Sequence, residues 1–337
     1  MADHLLEVDD LTMYFHTRDG VVKAVDGVSY TLDKGETLGV VGESGSGKSV
    51  TALTMMGLIQ MPPGKVEKGD AKFKGRSLIT MKPEELRKIR GNEMAMIFQD
   101  PMTSLNPVYR VGHQVAEPLV IHKGLSKSEA ATRAVELLRL VGIPNPEDRA
   151  KDYPHQFSGG MRQRAMIAMA LACDPDVLIA DEPTTALDVT IQAQIIELMQ
   201  ELQQRTGSAI IMITHDLGVV ADMADRILVM YAGRPAEYGK TDEVFYHPLH
   251  PYTWGLMDSI PTHNLVEKSE LCPIKGQPPS LVNVPSGCAF HPRCPYATDR
   301  CKSEIPAFRI IEGTHGAACH YAGDPDFVRA CAVGVDE

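Results

Sequence analysis

Eight consecutive residues near the N-terminus have the composition of a phosphate-binding loop. Residues 42–49 read Gly-Glu-Ser-Gly-Ser-Gly-Lys-Ser and fit the pattern G-x-x-x-x-G-K-[ST] in full. Glycines let successive backbone N–H groups converge on phosphate oxygens, and the following helix start adds partial positive charge. Lys48 would reach the β- and γ-phosphates, and the Ser49 hydroxyl would bind Mg²⁺. The predicted nucleotide-binding residues are Gly42, Ser44, Gly45, Ser46, Gly47, Lys48 and Ser49.

Two carboxylates that follow an apolar stretch are candidates for hydrolytic chemistry. The strand-like residues 177–180 lead directly into Asp181 and Glu182. Adjacent strand residues point in different directions, so Asp181 can bind Mg²⁺ while Glu182 faces an attacking water. A carboxylate there would polarise the water and orient it in line with the γ-phosphate. Such a strand end is usually just solvated, but the phosphate loop upstream favours the functional interpretation.

Two more polar residues, Gln99 and His215, also follow strand-like stretches. From a strand end, Gln99 could contact Mg²⁺ or the water, and His215 could touch the γ-phosphate region. Neither residue is persuasive by itself, because a single histidine in such a place is more often structural. The phosphate loop is also shared by kinases, GTPases and helicases, so further motifs must decide among these classes.

The elements that must position these residues alternate between strand-like and helix-like patterns. We predict strands over residues 37–41, 177–180 and 209–213, and helices over residues 47–58 and 191–204. This alternation is typical of an α/β domain with a largely parallel sheet. The pattern is mainly helical from about residue 107 to 160, as in residues 127–140, which predicts a helical insertion.

Composition limits the function classes. The chain has 337 residues and a formal net charge of -11, which argues against a sequence-independent nucleic-acid binder. Its apolar stretches are too short to span a bilayer, and the N-terminal residues lack the features of a signal peptide. We therefore expect a cytosolic chain whose membrane partners, if it has them, supply the spanning helices.

The last 90 or so residues differ in composition from the rest. Prolines crowd the region after about residue 245, and six of the seven cysteines lie after residue 271. Four thiolates could hold zinc or a [4Fe–4S] cluster, although the tight cysteine pairs of structural zinc sites are absent. Free thiols are the third possibility. The predicted ligands are Cys288, Cys294, Cys301 and Cys319; Cys272 and Cys331 are weaker candidates, and Cys173 is expected in the core.

One further segment strengthens the functional interpretation of these motifs. Residues 157–164 read Phe-Ser-Gly-Gly-Met-Arg-Gln-Arg, which resembles the signature motif of ABC proteins. The resemblance implies that two domains face each other head to tail and that Ser158, Gly159 and Gly160 contact the partner's ATP. It also implies that Phe15 stacks on adenine, with Tyr14 as the alternative. Gln99 resembles the Q-loop glutamine, residues 186–188 with Asp188 resemble the D-loop, and His215 resembles the switch histidine.

Finer features resemble the oligopeptide/dipeptide importer subfamily. These are residues 98–107 (Phe-Gln-Asp-Pro-Met-Thr-Ser-Leu-Asn-Pro), residues 153–158 (Tyr-Pro-His-Gln-Phe-Ser), residues 250–253 (His-Pro-Tyr-Thr) and the cysteine-bearing tail. Met161 stands where many ABC proteins have glutamine. The resemblance implies an ABC nucleotide-binding domain over residues 1–245, with a RecA-like core, an antiparallel β subdomain and a helical subdomain. It also implies a small Cys/Pro-rich domain over residues 246–337 and favours a structural or regulatory [4Fe–4S] cluster over Zn²⁺.

The implied function is ATP hydrolysis that energises peptide import, with ATP and Mg²⁺ as the required small molecules. The implied partners are a second, related ABC ATPase subunit, two transmembrane permease subunits and an extracytoplasmic peptide-binding protein, at the cytoplasmic face of the inner membrane. Three alternatives stay open. The chain could serve an importer of nickel or another solute, it could be a non-transport ABC ATPase, or it could be a redox-sensing iron–sulfur module.

Overall fold

The computed structural model describes residues 4–100, 104–184, 188–259 and 274–327. The strands are β1 (Leu6–Thr17), β2 (Gly20–Leu32), β3 (Thr37–Val41), β4 (Gly64–Phe73), β5 (Arg76–Ser77), β6 (Met94–Ile97), β7 (Val177–Asp181), β8 (Ala209–Thr214), β9 (Arg226–Tyr231), β10 (Arg234–Lys240), β11 (Arg309–Glu312) and β12 (His315–Ala317). The helices are α1 (Lys48–Met55), α2 (Pro83–Ile89), α3 (Val111–Lys123), α4 (Lys127–Leu140), α5 (Pro146–Arg149), α6 (Gly159–Ala170), α7 (Val189–Thr206), α8 (Leu217–Met223), α9 (Thr241–Tyr246), α10 (Pro251–Asp258) and α11 (Asp299–Ser303).

The chain divides into two compact units, and the first comprises Met1–Leu6, Leu32–Thr37 and Phe73–Ile213. Strands β6, β7 and β8 pair in parallel there, with Ala180 of β7 opposite Met212 of β8. Every residue of β7 and β8 is buried, as expected for parallel strands covered on both faces. This unit also holds helices α3, α4 and α5, which follow one another between residues 111 and 149.

The second unit comprises Glu7–Thr31, Leu38–Lys72 and Thr214–Glu337. Its strands β3 and β9 are parallel, whereas β9, β10, β12 and β11 pair antiparallel in that order. One buried core in this unit joins Val41 of β3 and Val229 of β9 to Tyr252 and Phe290 of the C-terminal region. The C-terminal region therefore shares its core with strands β3 and β9, and a separate small domain over residues 246–337 is not confirmed.

The main local predictions are confirmed. The strand at Thr37–Val41 and the helix at Lys127–Leu140 have the predicted bounds, and β7 and β8 extend the predicted strands by one residue each. Beyond residue 245, the longest described helix has only eight residues, consistent with the density of prolines. Within the described residues, none of the helices is both long and apolar enough to cross a membrane.

Candidate nucleotide-binding and hydrolytic site

The phosphate loop connects β3 to α1 in the second unit. Glycine is required at two of its positions, because Gly42 and Gly47 have φ angles of 148° and 101°. A Cβ atom at Gly47 would collide with the backbone carbonyl of Ala24, and one at Gly42 would collide with that of Met230. The loop backbone is thus held against neighbouring strands, and side chains at these positions are excluded.

The interior of the loop fits a bound phosphate. Lys48 is 5% exposed, and its Nζ donates to the carbonyl oxygens of Gly42 at 2.6 Å and Glu43 at 3.0 Å. The Ser46 hydroxyl is buried and has no hydrogen-bond partner among the residues that the structure describes. A buried hydroxyl without a partner is costly unless a ligand satisfies it. A phosphate oxygen is a ligand of the right chemistry for both side chains.

The two carboxylates lie in the first unit, where β7 ends. Asp181 is the last residue of β7 and is 5% exposed. Glu182 leaves the strand in a left-handed conformation, with φ of 47°, while its N–H donates to the carbonyl of Ile213 at 2.8 Å. Such a conformation is unfavourable for glutamate, and strained backbone of this kind is often found at functional sites, where it fixes the direction of a side chain. The backbone turn, added to strand alternation, separates the directions of the two carboxylates.

Gln99 accompanies Glu182 in this unit. Its amide Nε2 donates to Glu182 Oε2 at 2.9 Å. Gln99 itself is exposed, and it follows β6, which pairs directly with β7. Because parallel strands bring their carboxyl ends to one edge of a sheet, residues 83 positions apart in sequence meet here. The structure therefore brings together two of the three residues predicted to be catalytic.

The predicted signature motif forms a helix start in the first unit. Ser158 is the N-cap of α6, and its Oγ accepts a hydrogen bond from the Met161 N–H at 3.3 Å. Ser158 and Gly159 are exposed, and Gly160 is half-buried. An exposed serine cap, two glycines and the N–H groups of a helix start together make a surface that suits an anion.

The remaining predicted residues occupy several elements. Phe15 lies in β1 and is half-buried, and its neighbour Tyr14 donates a hydrogen bond to Asp26 at 2.9 Å. Burial and this carboxylate raise the pKa of Tyr14 to about 12. His215 is exposed just after β8 in the second unit, and Asp188 is exposed at the N-cap of α7. Residues 186 and 187 of the expected D-loop lie outside the described residues.

The four predicted cysteine ligands line one pocket in the second unit. The lining of this pocket also includes aromatic and histidine side chains. Burial raises the pKa of Cys288 and Cys319, and it raises that of Cys294 to about 12. No three metal-binding side chains in the described residues are arranged to hold an ion, so the predicted iron–sulfur or zinc centre is not confirmed. Cys173 is buried as expected, and Cys272 and Cys331 lie outside the described residues.

Sequence reasoning missed three residues that contact the phosphate loop or form part of it. Glu43 occupies a variable position of the loop pattern, Tyr252 lies in the His-Pro-Tyr-Thr segment, and Arg293 precedes Cys294. Tyr252 Oη accepts a hydrogen bond from the Glu43 N–H at 2.8 Å, and Arg293 pairs with the Glu43 carboxylate. Only the His-Pro-Tyr-Thr segment carried a signal in the sequence, and that signal indicated a subfamily and no contact.

Family profiles match both parts of the chain. The ABC transporter family matches residues 25–185, and the family described as the C-terminal region of oligopeptide/dipeptide transporters matches residues 236–301. The chain belongs to the ABC transporter family, in its oligopeptide/dipeptide branch. It is 57% identical over 312 residues to the oligopeptide transport ATP-binding protein OppD of Bacillus subtilis, covering 92% of this chain and 87% of that protein.

Two further relatives are also named as ATP-binding proteins of peptide transport. The dipeptide transport ATP-binding protein DppD of Lactococcus lactis is 56% identical, with 94% of this chain and 90% of that protein covered. The oligopeptide transport ATP-binding protein OppD of Salmonella typhimurium is 52% identical, with 100% and 96% covered. The family predicted from the signature motif is therefore confirmed.

Solved structures confirm the cassette fold. The ATP-binding cassette MJ0796, described as a dimer bound to ADP and Pi, superposes with a TM-score of 0.63 at 28% identity. The match covers 70% of this chain and 98% of that one. Since the cassette is almost fully matched by only part of this chain, this member of the family carries additional sequence.

Proposed function

We propose that this chain binds and hydrolyses ATP and that the hydrolysis energises the import of peptides. The names of the oligopeptide and dipeptide transport relatives support the substrate class, and they favour it over nickel import or a non-transport role. The observation that carries the catalytic part is the hydrogen bond between Gln99 and Glu182 at the end of β7.

In this proposal, each group of residues has one chemical task. Lys48, the loop N–H groups and the Ser46 hydroxyl bind the phosphates, while Ser49, Gln99 and Asp181 hold Mg²⁺, which neutralises phosphate charge. Glu182 accepts a hydrogen bond from the attacking water and orients it, and His215 contacts the γ-phosphate region. Phe15 stacks on the adenine ring. The exposed start of α6 binds the ATP held by a partner domain.

The proposal also assigns partners. Because the signature motif would act on a nucleotide held by another chain, the active form is a head-to-tail pair, and we assign the second place to a related but distinct ABC ATPase. Two transmembrane permease subunits and an extracytoplasmic peptide-binding protein complete the assembly at the cytoplasmic face of the inner membrane. The isolated chain should therefore be a poor ATPase, and full turnover in a strictly monomeric preparation would contradict the pairing.

The test of the catalytic assignment is Glu182→Gln in the assembled transporter. The change removes a charge and keeps the shape, so ATP binding should persist while hydrolysis falls by about 100-fold or more, the usual contribution of a general base. Glu201→Gln, on an exposed position of α7, is the matched control and should leave the rate unchanged. Hydrolysis at the wild-type rate in Glu182→Gln would show that Glu182 does not orient the attacking water. To exclude ATP turnover by the partner ATPase, the Glu182→Gln variant is assembled with a partner subunit that cannot hydrolyse ATP.

We also propose a [4Fe–4S] cluster held by Cys288, Cys294, Cys301 and Cys319. The proposal rests on the four thiols that line one pocket, together with His291 and His320, although no three metal-binding side chains among the described residues converge on one ion position. Thiols with raised pKa values must lose protons when metal binds. The cluster's task would be to hold the C-terminal loops in one shape, because peptide import requires no electron transfer.

Metal analysis tests this second assignment. Protein purified without oxygen should be brown and contain about four irons per chain. A colourless anaerobic preparation with about one zinc per chain would replace the cluster with a zinc site. A preparation with neither metal would leave the four residues as free thiols.

A further inference from the structure

The carboxylate of Glu43, inside the phosphate loop, is held by an arginine of the cysteine-rich C-terminal region. Arg293 Nη1 donates to Glu43 Oε2 at 2.6 Å, and Arg293 Nη2 donates to Glu43 Oε1 at 2.9 Å. Both residues belong to the second compact unit, although 250 positions separate them in sequence. This two-point pairing of a planar guanidinium with a carboxylate fixes direction as well as distance.

Arg293 is itself rigidly held. Its side chain is only 5% exposed. Nε donates to the carbonyl of Lys275 at 3.1 Å, and Nη2 reaches the carbonyls of Ile274 at 3.5 Å and Gly276 at 3.3 Å. Nη1 also lies 3.3 Å from the hydroxyl of Tyr231. A guanidinium with its donors engaged on all sides loses little further entropy when it holds Glu43, so the contact is preorganised.

The aromatic side chains behind Arg293 tie it to the core. The guanidinium carbon lies 5.8 Å from the ring centre of Tyr231 and 6.0 Å from that of Phe290. Phe290 in turn contacts Tyr231 and Tyr252, with ring centres 5.2 Å and 5.4 Å apart. Tyr252 is the residue whose hydroxyl accepts the Glu43 N–H. The C-terminal region therefore holds the side chain and the backbone N–H of Glu43 through one packed cluster.

The third polar group of Glu43, its backbone carbonyl, contacts a residue of the proposed ATP site. Its carbonyl oxygen accepts a hydrogen bond from Lys48 Nζ, the point charge assigned to the phosphates. Residues 277–279 and Leu281 of the same C-terminal region also line a depression with Glu43, Ser44 and Ser46. A displacement of Glu43 would thus move both the backbone cradle and the position from which Lys48 reaches the phosphates.

We propose that Arg293 is a positioning residue that clamps the phosphate loop, so that the C-terminal region sets the ATP affinity of the chain. The inference rests on the proposed ATP-binding role of the phosphate loop. It gives the C-terminal region a task in nucleotide binding that does not depend on which metal, if any, the cysteines hold. A loop fixed before ATP arrives loses less conformational freedom on binding, and this is the physical source of the gain in affinity.

The test measures the Kd for ATP on the full chain, and KM and kcat in the assembled transporter. Arg293→Ala should raise the Kd and the KM for ATP by about tenfold, within the usual range for coupling between sites. The kcat at saturating ATP should change less than twofold. Hydrogen exchange of the loop amides should become faster in Arg293→Ala. Arg293→Lys, which keeps the charge but loses the two-point contact, should recover part of the affinity.

Two controls keep the result specific. Arg300→Ala removes an exposed arginine of the same region, whose ion pair with Glu304 is fully at the surface, and should leave the Kd unchanged. Glu43→Gln removes the charge from the other partner with little change of shape, and should reproduce the higher Kd if Arg293→Ala fails to fold. The exchanged pair Glu43→Arg with Arg293→Glu should restore more affinity than either single exchange retains.

The clamp is overturned if Arg293→Ala and Glu43→Gln fold and bind ATP within twofold of wild type while Lys48→Ala has lost binding. If Lys48→Ala also binds ATP normally, the proposed ATP site itself is wrong, and the two failures are distinguished. A loss of affinity equal in Arg293→Ala and Arg300→Ala would likewise reject the clamp, because it would reflect general loosening of the C-terminal region.

Discussion

The phosphate loop and the cysteine pocket of the second compact unit are built in opposite ways. The loop uses eight consecutive residues, and its form depends on backbone angles at Gly42 and Gly47. The pocket uses cysteines spread over residues 288–319, and the folding of proline-rich loops brings their side chains to one cavity. A contiguous backbone site is complete once its local conformation forms. A dispersed side-chain site exists only after distant segments have packed.

The difference predicts how each region responds to substitution. Changes in the loop should act directly on ATP binding and be large, because Lys48 and the loop N–H groups are the proposed contacts to the phosphates. Changes in the pocket should act first on the packing of the C-terminal region. Four substitutions, in order of decreasing expected effect, test this contrast.

The largest effect is expected for Lys48→Ala. The change removes a charged hydrogen-bond donor to the phosphates and should cost about 3 kcal/mol of ATP binding, or about 100-fold in Kd. Transport should be abolished. Titration with a fluorescent ATP analogue measures the affinity, and Lys65→Ala, at a surface pair with Glu67, is the control. If Lys48→Ala binds ATP with wild-type affinity, the loop at residues 42–49 is not the ATP-binding site.

The next effect is expected for Gly47→Ala. The substitution places a Cβ against the Ala24 carbonyl at a φ of 101°, and should lower the free energy of unfolding by about 2 to 3 kcal/mol. Gly75→Ala is the matched control, because Gly75 also has a positive φ of 74° but has nothing within 4 Å of the added atom. Chemical denaturation of the two variants separates the collision from the backbone strain. If both variants lose the same free energy of unfolding, the backbone near Ala24 must shift to make room for the added Cβ.

Cys319→Ser should have a smaller effect on the folded chain. A hydroxyl in place of the 9% exposed thiol should cost about 1 to 2 kcal/mol of stability, because the more polar group must be buried. If the cluster assignment is right, iron should fall from about four per chain to almost none. The Kd for ATP should stay within about twofold, because Arg293 is held by Glu43, by Tyr231 and by the backbone carbonyls of residues 274–276. A large loss of ATP affinity would mean that the position of Arg293 also depends on the cysteine pocket.

The smallest effect is expected for Asp26→Asn, beside the phosphate loop. Asp26 accepts hydrogen bonds from Tyr14 and Arg234, and its N–H donates to the Gly233 carbonyl. The Gly233 N–H in turn donates to the backbone carbonyl of Ser46. Burial acts to raise the pKa of Asp26, but Arg234 and then Tyr14 outweigh it, so the pKa is lowered. The charged form therefore stabilises the fold above about pH 4, and this stability is lost as the pH falls through the lowered pKa.

Asp26→Asn should consequently cost about 1 kcal/mol at neutral pH, and the difference from wild type should shrink in acid. Unfolding at pH 7 and at pH 3 gives both values. A difference that grows in acid would reverse the assigned direction of the pKa shift. The exposed carboxylate of Asp299, paired with Lys302 at the surface, offers a control whose substitution should have little effect at either pH.

Several features of this protein could be predicted because they depend on short stretches of sequence. The loop at residues 42–49, between a strand and a helix, and the strand that ends at Asp181 are local patterns of this kind. The helix at Lys127–Leu140 has a serine cap and a glutamate three residues later, so its start is also local. The signature motif then indicated the family, which the relatives confirm.

Only the tertiary structure decided which distant side chains meet. The contact between Gln99 and Glu182 depends on the pairing of β6 with β7, and the contact between Glu43 and Arg293 depends on the packing of Phe290 against Tyr231 and Tyr252. The same packing joins residues of the C-terminal region to a core shared with β3 and β9, a connection that no local pattern indicated. Backbone conformation is set by neighbouring residues and can be predicted from them. Contacts across 83 or 250 positions are set by the burial of surfaces that no local pattern describes.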